Sequence, residues 1–188
     1  MTQEGTAQPP MAGTEADAGA VVAEHLVDVP DFPSPGVVFK DITPLLQDGP
    51  ALRAVVRAMA DRYRGRVDAV AGIESRGFVF GAALAYELGV GLVLIRKEGK
   101  LPRDRHSISY ELEYGSATVE VHQDAFTRGA RVLLVDDVLA TGGTAAAAAD
   151  LVETAGGVVA DIAVIVELGF LGGRAALPGR TVWALHTV

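Results

Sequence analysis

The chain has 188 residues, a formal net charge of −8 and no cysteine. That length suits one domain that buries most of its unfolded surface without covalent staples. The missing thiols exclude disulfides and thiolate metal sites and fit a reducing cytoplasm. An acidic balance excludes a nucleic-acid binder that depends on a broad basic surface. With no run of about 18 apolar residues, a transmembrane helix is not expected either. The first Lys or Arg is Lys40, so the amino terminus lacks the charged start of a secretory signal, and a cytoplasmic protein is the expectation.

In chain order, residues 1–19 are rich in Ala, Gly, Thr, Gln and Pro without apolar periodicity, which predicts a disordered extension. Residues 20–188 then form a single domain. A short amphipathic helix is predicted from Ala20 to Val29, stopped by Pro30. Pro30 to Gly36, with three prolines, reads as an irregular connection. Pro50 suits the first turn of a helix reaching Arg64. Val67 to Ile73 reads as a strand, Gly77 to Leu88 as a helix and Gly91 to Ile95 as a buried strand. A loop is predicted from Lys97 to Tyr110, long enough for a lid. Thr118 to His122 alternates as a half-buried strand, and a turn falls within Phe126 to Ala130. Arg131 to Val135 is the central strand, and Thr144 to Ala155 the helix that it feeds. Gly156-Gly157 ends that helix. Strands follow at Val158 to Val166 and Thr181 to Leu185. This alternation predicts an α/β fold, a mostly parallel sheet flanked by helices on both faces.

The most informative stretch is Arg131-Val-Leu-Leu-Val-Asp136-Asp137-Val-Leu-Ala140-Thr141-Gly142-Gly143-Thr144. Val132 to Val135 is a continuous apolar run, as in a strand covered on both faces. Ala140 to Thr144 carries no bulky side chain, so its backbone N–H groups can approach an oxyanion. The alanine-rich helix that follows adds free N–H groups and the positive end of its dipole. The two aspartates cannot bind a phosphate; they suit hydroxyl groups or a hydrated cation. A phosphorylated sugar such as ribose 5-phosphate satisfies both halves. Arg96, Lys97, Lys100, Arg103 and Arg105 concentrate positive charge within ten residues of an acidic chain. In a parallel sheet, ligands gather beyond the carboxyl ends of the strands. That places Glu74-Ser75-Arg76, Arg96-Lys97 and Asp136 to Thr144 on one rim.

The segment from Asp136 to Thr144 resembles the 5-phosphoribosyl 1-pyrophosphate (PRPP) motif of the type I phosphoribosyltransferases. Asp31-Phe-Pro-Ser-Pro-Gly-Val-Val-Phe-Lys-Asp-Ile-Thr43, Gly72-Ile-Glu-Ser-Arg-Gly-Phe78, Ile95-Arg-Lys-Glu-Gly-Lys-Leu-Pro102 and Tyr110-Glu-Leu-Glu-Tyr-Gly115 narrow the resemblance to the adenine phosphoribosyltransferases. It runs over nearly all of the chain from about Val21. The resemblance implies a small amino-terminal hood at about residues 28–45, a flexible catalytic loop and a homodimer. The implied reaction is adenine plus PRPP giving AMP and pyrophosphate, in purine salvage.

The division of labour that it implies agrees with the residue chemistry. Ala140, Thr141, Gly142, Gly143 and Thr144 hold the 5-phosphate. Asp136 and Asp137 take the ribose hydroxyls and reach Mg²⁺ only through water, the metal being carried by PRPP. Glu74, Ser75, Arg76, Arg96, Lys97 and Lys100 receive the pyrophosphate, where preorganised cations stabilise the departing charge. The Glu74–Ser75 peptide is expected to be strained or cis. Val38, Phe39, Lys40 and Val138 form the base pocket, with Lys40 standing where many relatives carry Arg. Glu113 is the acid/base carboxylate, joined by Tyr114 and Arg76 as catalytic groups. The pattern lacks the Gly-Lys-Ser/Thr of a nucleotide-triphosphate loop.

Two alternatives stay open: transfer to hypoxanthine, guanine or xanthine, or a PRPP-sensing regulator that binds DNA. Glu113→Gln is predicted to lower turnover far more than PRPP affinity, measured by steady-state kinetics beside PRPP titration; unchanged turnover would exclude proton transfer at this residue.

Overall fold

From residue 69 onward, strands interrupted by two α-helices pair into one seven-stranded mixed sheet. The computed structural model describes residues 15–111 and 116–188. Its helices are α1 (Glu15–His25), α2 (Thr43–Gln47), α3 (Gly49–Tyr63), α4 (Arg76–Leu88) and α5 (Gly143–Thr154). Its strands are β1 (Val27–Pro30), β2 (Val38–Asp41), β3 (Ala69–Ile73), β4 (Gly91–Lys97), β5 (Arg105–Glu111), β6 (Ser116–His122), β7 (Arg131–Leu139), β8 (Val158–Glu167) and β9 (Val182–Thr187). The large sheet has the order β5-β6-β4-β3-β7-β8-β9. Strands β4, β3, β7, β8 and β9 run parallel, while β6 pairs antiparallel with both β4 and β5.

The central strand is apolar on both faces because both are covered. Leu133 and Val135 pack with α3 and α4 residues such as Val55, Met59, Phe80 and Leu84. Val132 and Leu134 pack with Ala148, Leu151 and Val152 of α5. Glycines bring α4 down onto the sheet. A methyl group at Gly77 would stand 2.8 Å from the Val135 carbonyl oxygen. Gly81 lies as close to Gly72, where its Cβ would meet the Gly72 Cα at 3.3 Å. The amino end of α4, carrying Arg76, is thereby pressed against the carboxyl end of β7.

β1 and β2 form a separate two-stranded antiparallel sheet in the segment expected for the hood. It is tied to the body by Asp41, whose carboxylate accepts from the Thr43 backbone N–H and hydroxyl at 2.9 and 2.8 Å. Asp48 caps α3 by accepting from the Ala51 N–H at 2.9 Å.

The structure corrects three sequence expectations. The first helix begins at Glu15, ahead of Ala20, and ends at His25. Ala18 is buried and Gly19 packs on the Leu185 carbonyl, so these small residues are a packing surface rather than part of an extension. Residues 1–14 lie outside the described residues. Much of the expected lid is strand: β5 pairs with β6 from Arg105↔His122 to Glu111↔Ser116. Its alternation was legible as a period of two, since Ile108 and Tyr110 face the α5 side of the core. Polar Ser107 and Ser109 meet Glu120 and Thr118 instead. What remains of the loop is residues 98–104.

The third correction concerns β7, which continues through Asp136 and Asp137 to Leu139. Beyond Val135 it keeps its β8 partner, as in Val138↔Val166, but pairing with β3 stops at Gly72↔Val135. The acidic pair therefore sits on a strand that is open along one edge. Burial, with the Asp137 charge beside it, pushes the Asp136 carboxyl well above its usual range, against the lowering effect of the Asp137 N–H and Arg76. A carboxyl raised in the folded state loses stability as pH climbs from its unfolded pKa through its folded one. Asp136→Asn is thus expected to raise Tm at neutral pH, with the gain vanishing below the ordinary carboxylate range. A gain that does not change with pH, in thermal melts, would remove this account.

Candidate active site

At the carboxyl rim, the segment from Ala140 to Thr144 turns from β7 into α5 through Gly142, which has φ of 87° at the helix N-cap. Only glycine adopts that conformation readily, and the same position packs against the Gly173 carbonyl. A cavity of about 80 Å³ opens here, lined by Asp136, Val138 and every residue from Leu139 to Ala145. Backbone N–H groups of the first helical turn face such a space by geometry, which suits an anion. The Thr144 hydroxyl donates to the Tyr110 hydroxyl at 3.1 Å, so β5 reaches the cradle.

The cradle rests on an ion pair that sequence reading left without a role. Arg174 donates from Nε and Nη2 to the two Glu167 oxygens, each at 2.7 Å, and from Nη1 to the Val182 carbonyl. The Arg174 guanidinium holds the Glu167 carboxyl below its usual range. This clamps the turn carrying Gly173 to β8, directly beneath Gly142. The separation of the two residues in sequence gave no periodic signal of the pairing.

Next to the cradle, Asp136 accepts from the Asp137 N–H at 2.9 Å. Asp137, 6% exposed, accepts from Arg76 Nε at 2.7 Å. The Arg76 guanidinium also lies 5.7 Å from the Phe39 ring centroid, and Phe39 meets Phe32 edge-on at 5.2 Å. A continuous line therefore runs from the acidic pair through Arg76 to the aromatic residues of the hood. Phe32 was not singled out from sequence. Val38 stands 47% exposed near this line, while Val138 packs partly into the core below it.

Lys40 does not point its charge outward. Its ammonium is paired with Asp28, directly across the β1–β2 ladder, at 2.6 Å. Cross-strand opposition of unlike charges accounts for this choice.

On the other side, Ser75 occupies the helix N-cap of α4 with φ of 103°, a strained region for a side-chain-bearing residue. Among the described residues the one cis bond is Phe32–Pro33, so the strain at Glu74–Ser75 lies in the dihedral and not in a cis peptide. Glu74 turns toward the basic loop. It accepts from the Lys97 N–H at 2.7 Å and from Arg96 Nε at 3.4 Å. Burial opposes its charge, yet the Lys97 N–H and Arg96 outweigh it and hold the carboxyl below its usual range. Arg96 in turn donates to the Lys100 carbonyl at 3.3 Å.

A second carboxylate organises the same loop. Glu120 on β6, 2% exposed, accepts from the Gly99 N–H at 3.0 Å, Arg105 Nε at 2.9 Å and the Ser107 hydroxyl at 3.2 Å. The available signal was a lone Glu between Val119 and Val121 in an apolar strand. Of the five clustered cations, Arg96, Arg103 and Arg105 are ion-paired with Glu74, Asp124 and Glu120. Lys97 and Lys100 stand exposed. Glu113 and Tyr114 lie outside the described residues.

A family model described as Phosphoribosyl transferase domain matches residues 43–174. The adenine phosphoribosyltransferase of Salinispora tropica is 60% identical over 182 residues, covering 94% of this chain and 96% of the relative. The crystal structure of the Thermoanaerobacter pseudethanolicus adenine phosphoribosyltransferase superposes with a TM-score of 0.86 at 48% identity, over 89% of this chain and 98% of that one. The Saccharomyces cerevisiae enzyme, complexed with an imino-altritol bisphosphate and adenine, gives 0.87 at 38% identity over 90% and 99%. Agreement of this extent, reached over the cradle, the acidic strand and the basic loop alike, makes the chain a member of the adenine phosphoribosyltransferase family.

Proposed function

We propose that this chain transfers the 5-phosphoribosyl group of PRPP to N9 of adenine, giving AMP and pyrophosphate. The observation that carries the reading is the line Phe39–Arg76–Asp137, which joins the aromatic pair Phe32–Phe39 to a carboxylate beside a cavity of about 80 Å³. Few ligands offer a planar base, a diol and a phosphate in that order.

In the proposed reaction the C1′–N9 bond forms as the bond from C1′ to the pyrophosphate oxygen breaks. The N9 proton passes to a carboxylate, which family resemblance assigns to Glu113. Ala140 to Thr144 holds the 5-phosphate, and Asp136 and Asp137 the ribose hydroxyls. Val38, Phe39 and Val138 enclose the base. Lys40 acts through Asp28 to stiffen the hood rather than as a contact to the base. Ser75, Arg76, Lys97 and Lys100 meet the leaving pyrophosphate, whose growing charge they stabilise. Glu74 is better read as the group that aims Arg96 and Lys97, since both already bond to it.

Two adjacent carboxylates, one of them bound to Arg76, offer too few oxygens for an octahedral Mg²⁺ site. Among the described residues no group of three or more His, Cys, Asp or Glu could hold a metal. We read Mg²⁺ as a partner of PRPP, where it would neutralise pyrophosphate oxygens, with the aspartates reaching it through water. No helix of the described residues is long and apolar enough to cross a membrane.

A homodimer is also proposed. Family resemblance implies it, and Val79 and Tyr86 of α4 and Leu94 of β4 are large apolar side chains left exposed. Sedimentation velocity is expected to give twice the chain mass; a monomer at micromolar concentration would rule the dimer out.

The reaction is tested by mixing protein, PRPP and Mg²⁺ with equimolar adenine, hypoxanthine and guanine. AMP alone, with equal pyrophosphate, is expected. IMP or GMP would keep the mechanism and overturn the base; no nucleotide with tight PRPP binding would favour a sensing role.

A further inference from the structure

We propose that Tyr110 is a positioning residue of the 5-phosphate subsite, its phenol fixing the Thr144 hydroxyl and so joining the β5–β6 hairpin to phosphate binding. The inference rests on the phosphate reading of the cradle given above.

Tyr110 sits at an apolar position. It shares a face of β5 with Ile108, and both pack against the core that contains Ala145, Ala148 and Leu151 of α5. A phenylalanine would satisfy that packing equally. The hydroxyl is what packing does not require, and its hydrogen-bond partner is Thr144 Oγ1 at 3.1 Å. A partly buried ring with one polar tip is a stiff way to place a hydroxyl at a rim.

Thr144 is the second residue of α5, inside the turn whose N–H groups face the cavity. A threonine hydroxyl rotates to suit its partners, carrying one proton and two lone pairs. In the structure that proton goes to Tyr110. With a phosphate in the cradle the proton turns to a phosphate oxygen, and the Tyr110 O–H then donates to the lone pair left on Thr144. The result is a chain from Tyr110 through Thr144 to the phosphate, in which each bond polarises the next. Adenine, at Phe39, and pyrophosphate, at the basic loop, lie outside that chain. The contribution of Tyr110 therefore falls on ligands that bear the 5-phosphate.

The test titrates the full chain with ribose 5-phosphate by calorimetry, for wild type, Tyr110→Phe, Thr144→Val and the double variant. The Tyr110–Thr144 bond exists in the free protein too, so Tyr110→Phe is expected to weaken ribose 5-phosphate binding only by what the phosphate adds to that bond, about twofold. In Tyr110→Phe the adenine KM at saturating PRPP should stay at its wild-type value, while the Tm falls slightly, as loss of a bond already made without ligand requires. The double variant should bind no more weakly than Thr144→Val alone, as coupled residues do. Equal affinity in wild type and Tyr110→Phe, or losses that add, would overturn the proposal while leaving the cradle intact. So would an equal weakening toward adenine and ribose 5-phosphate, the mark of a merely structural hydroxyl. Failure of the wild type itself to bind ribose 5-phosphate would instead sink the phosphate reading, and this inference with it.

Discussion

The 2.7 Å contact between Arg76 and Asp137 is the constraint around which the site is arranged. Two adjacent carboxylates on a strand repel each other and lose hydration. An exposed ion pair contributes at most about 1 kcal/mol, but a buried carboxylate with no partner costs several times more. With Asp137 6% exposed, the second case governs, and the guanidinium offsets the charge that the fold encloses. Arg76 can reach Asp137 only because α4 begins against β7. That approach depends on Gly77 and Gly81, which let helix and sheet backbones touch. The same guanidinium spans to Phe39, so the hood, the first helix of the α/β core and the acidic strand share one group.

In a chain with a net charge of −8, the proposed polyanion site uses carboxylates to hold its cations. Glu74 and Glu120 fasten the basic segment from both sides, through backbone N–H groups as well as through Arg96 and Arg105. Each carboxyl is held below its usual range although burial pushes it the other way. The loop is thereby ordered before ligand arrives, and Lys97 and Lys100 are left exposed at its surface. Preorganised charge is worth more to a developing pyrophosphate than mobile charge, because less reorganisation accompanies bond breaking.

Much of the site was readable from sequence because its signals are local. A buried strand followed by two aspartates, small residues and an alanine helix forces carboxylates and free N–H groups onto one rim, whatever the rest does. The parallel order followed from alternating patterns, and the ends of β3, β4 and β7 do converge. The misread segments had weaker local signals. In β5, charges and serines outweigh a period-two pattern that only pairing with β6 makes meaningful. The ion pair of Lys40 had no local signal, because Asp28 is twelve residues away in sequence yet opposite in the ladder.

By itself, then, the sequence determined the α/β class, the small-residue turn, the acidic pair and the concentration of cations, since each is a property of contiguous residues. Tertiary structure decided who partners whom. Arg76 meets Asp137 across 61 positions, Tyr110 meets Thr144 across 34 and Glu120 meets Arg105 across 15. Charge and hydrogen-bonding capacity are written in residue types, but their satisfaction depends on distance in space. Burial makes that satisfaction compulsory, and only the packed sheet fixes which groups are buried together.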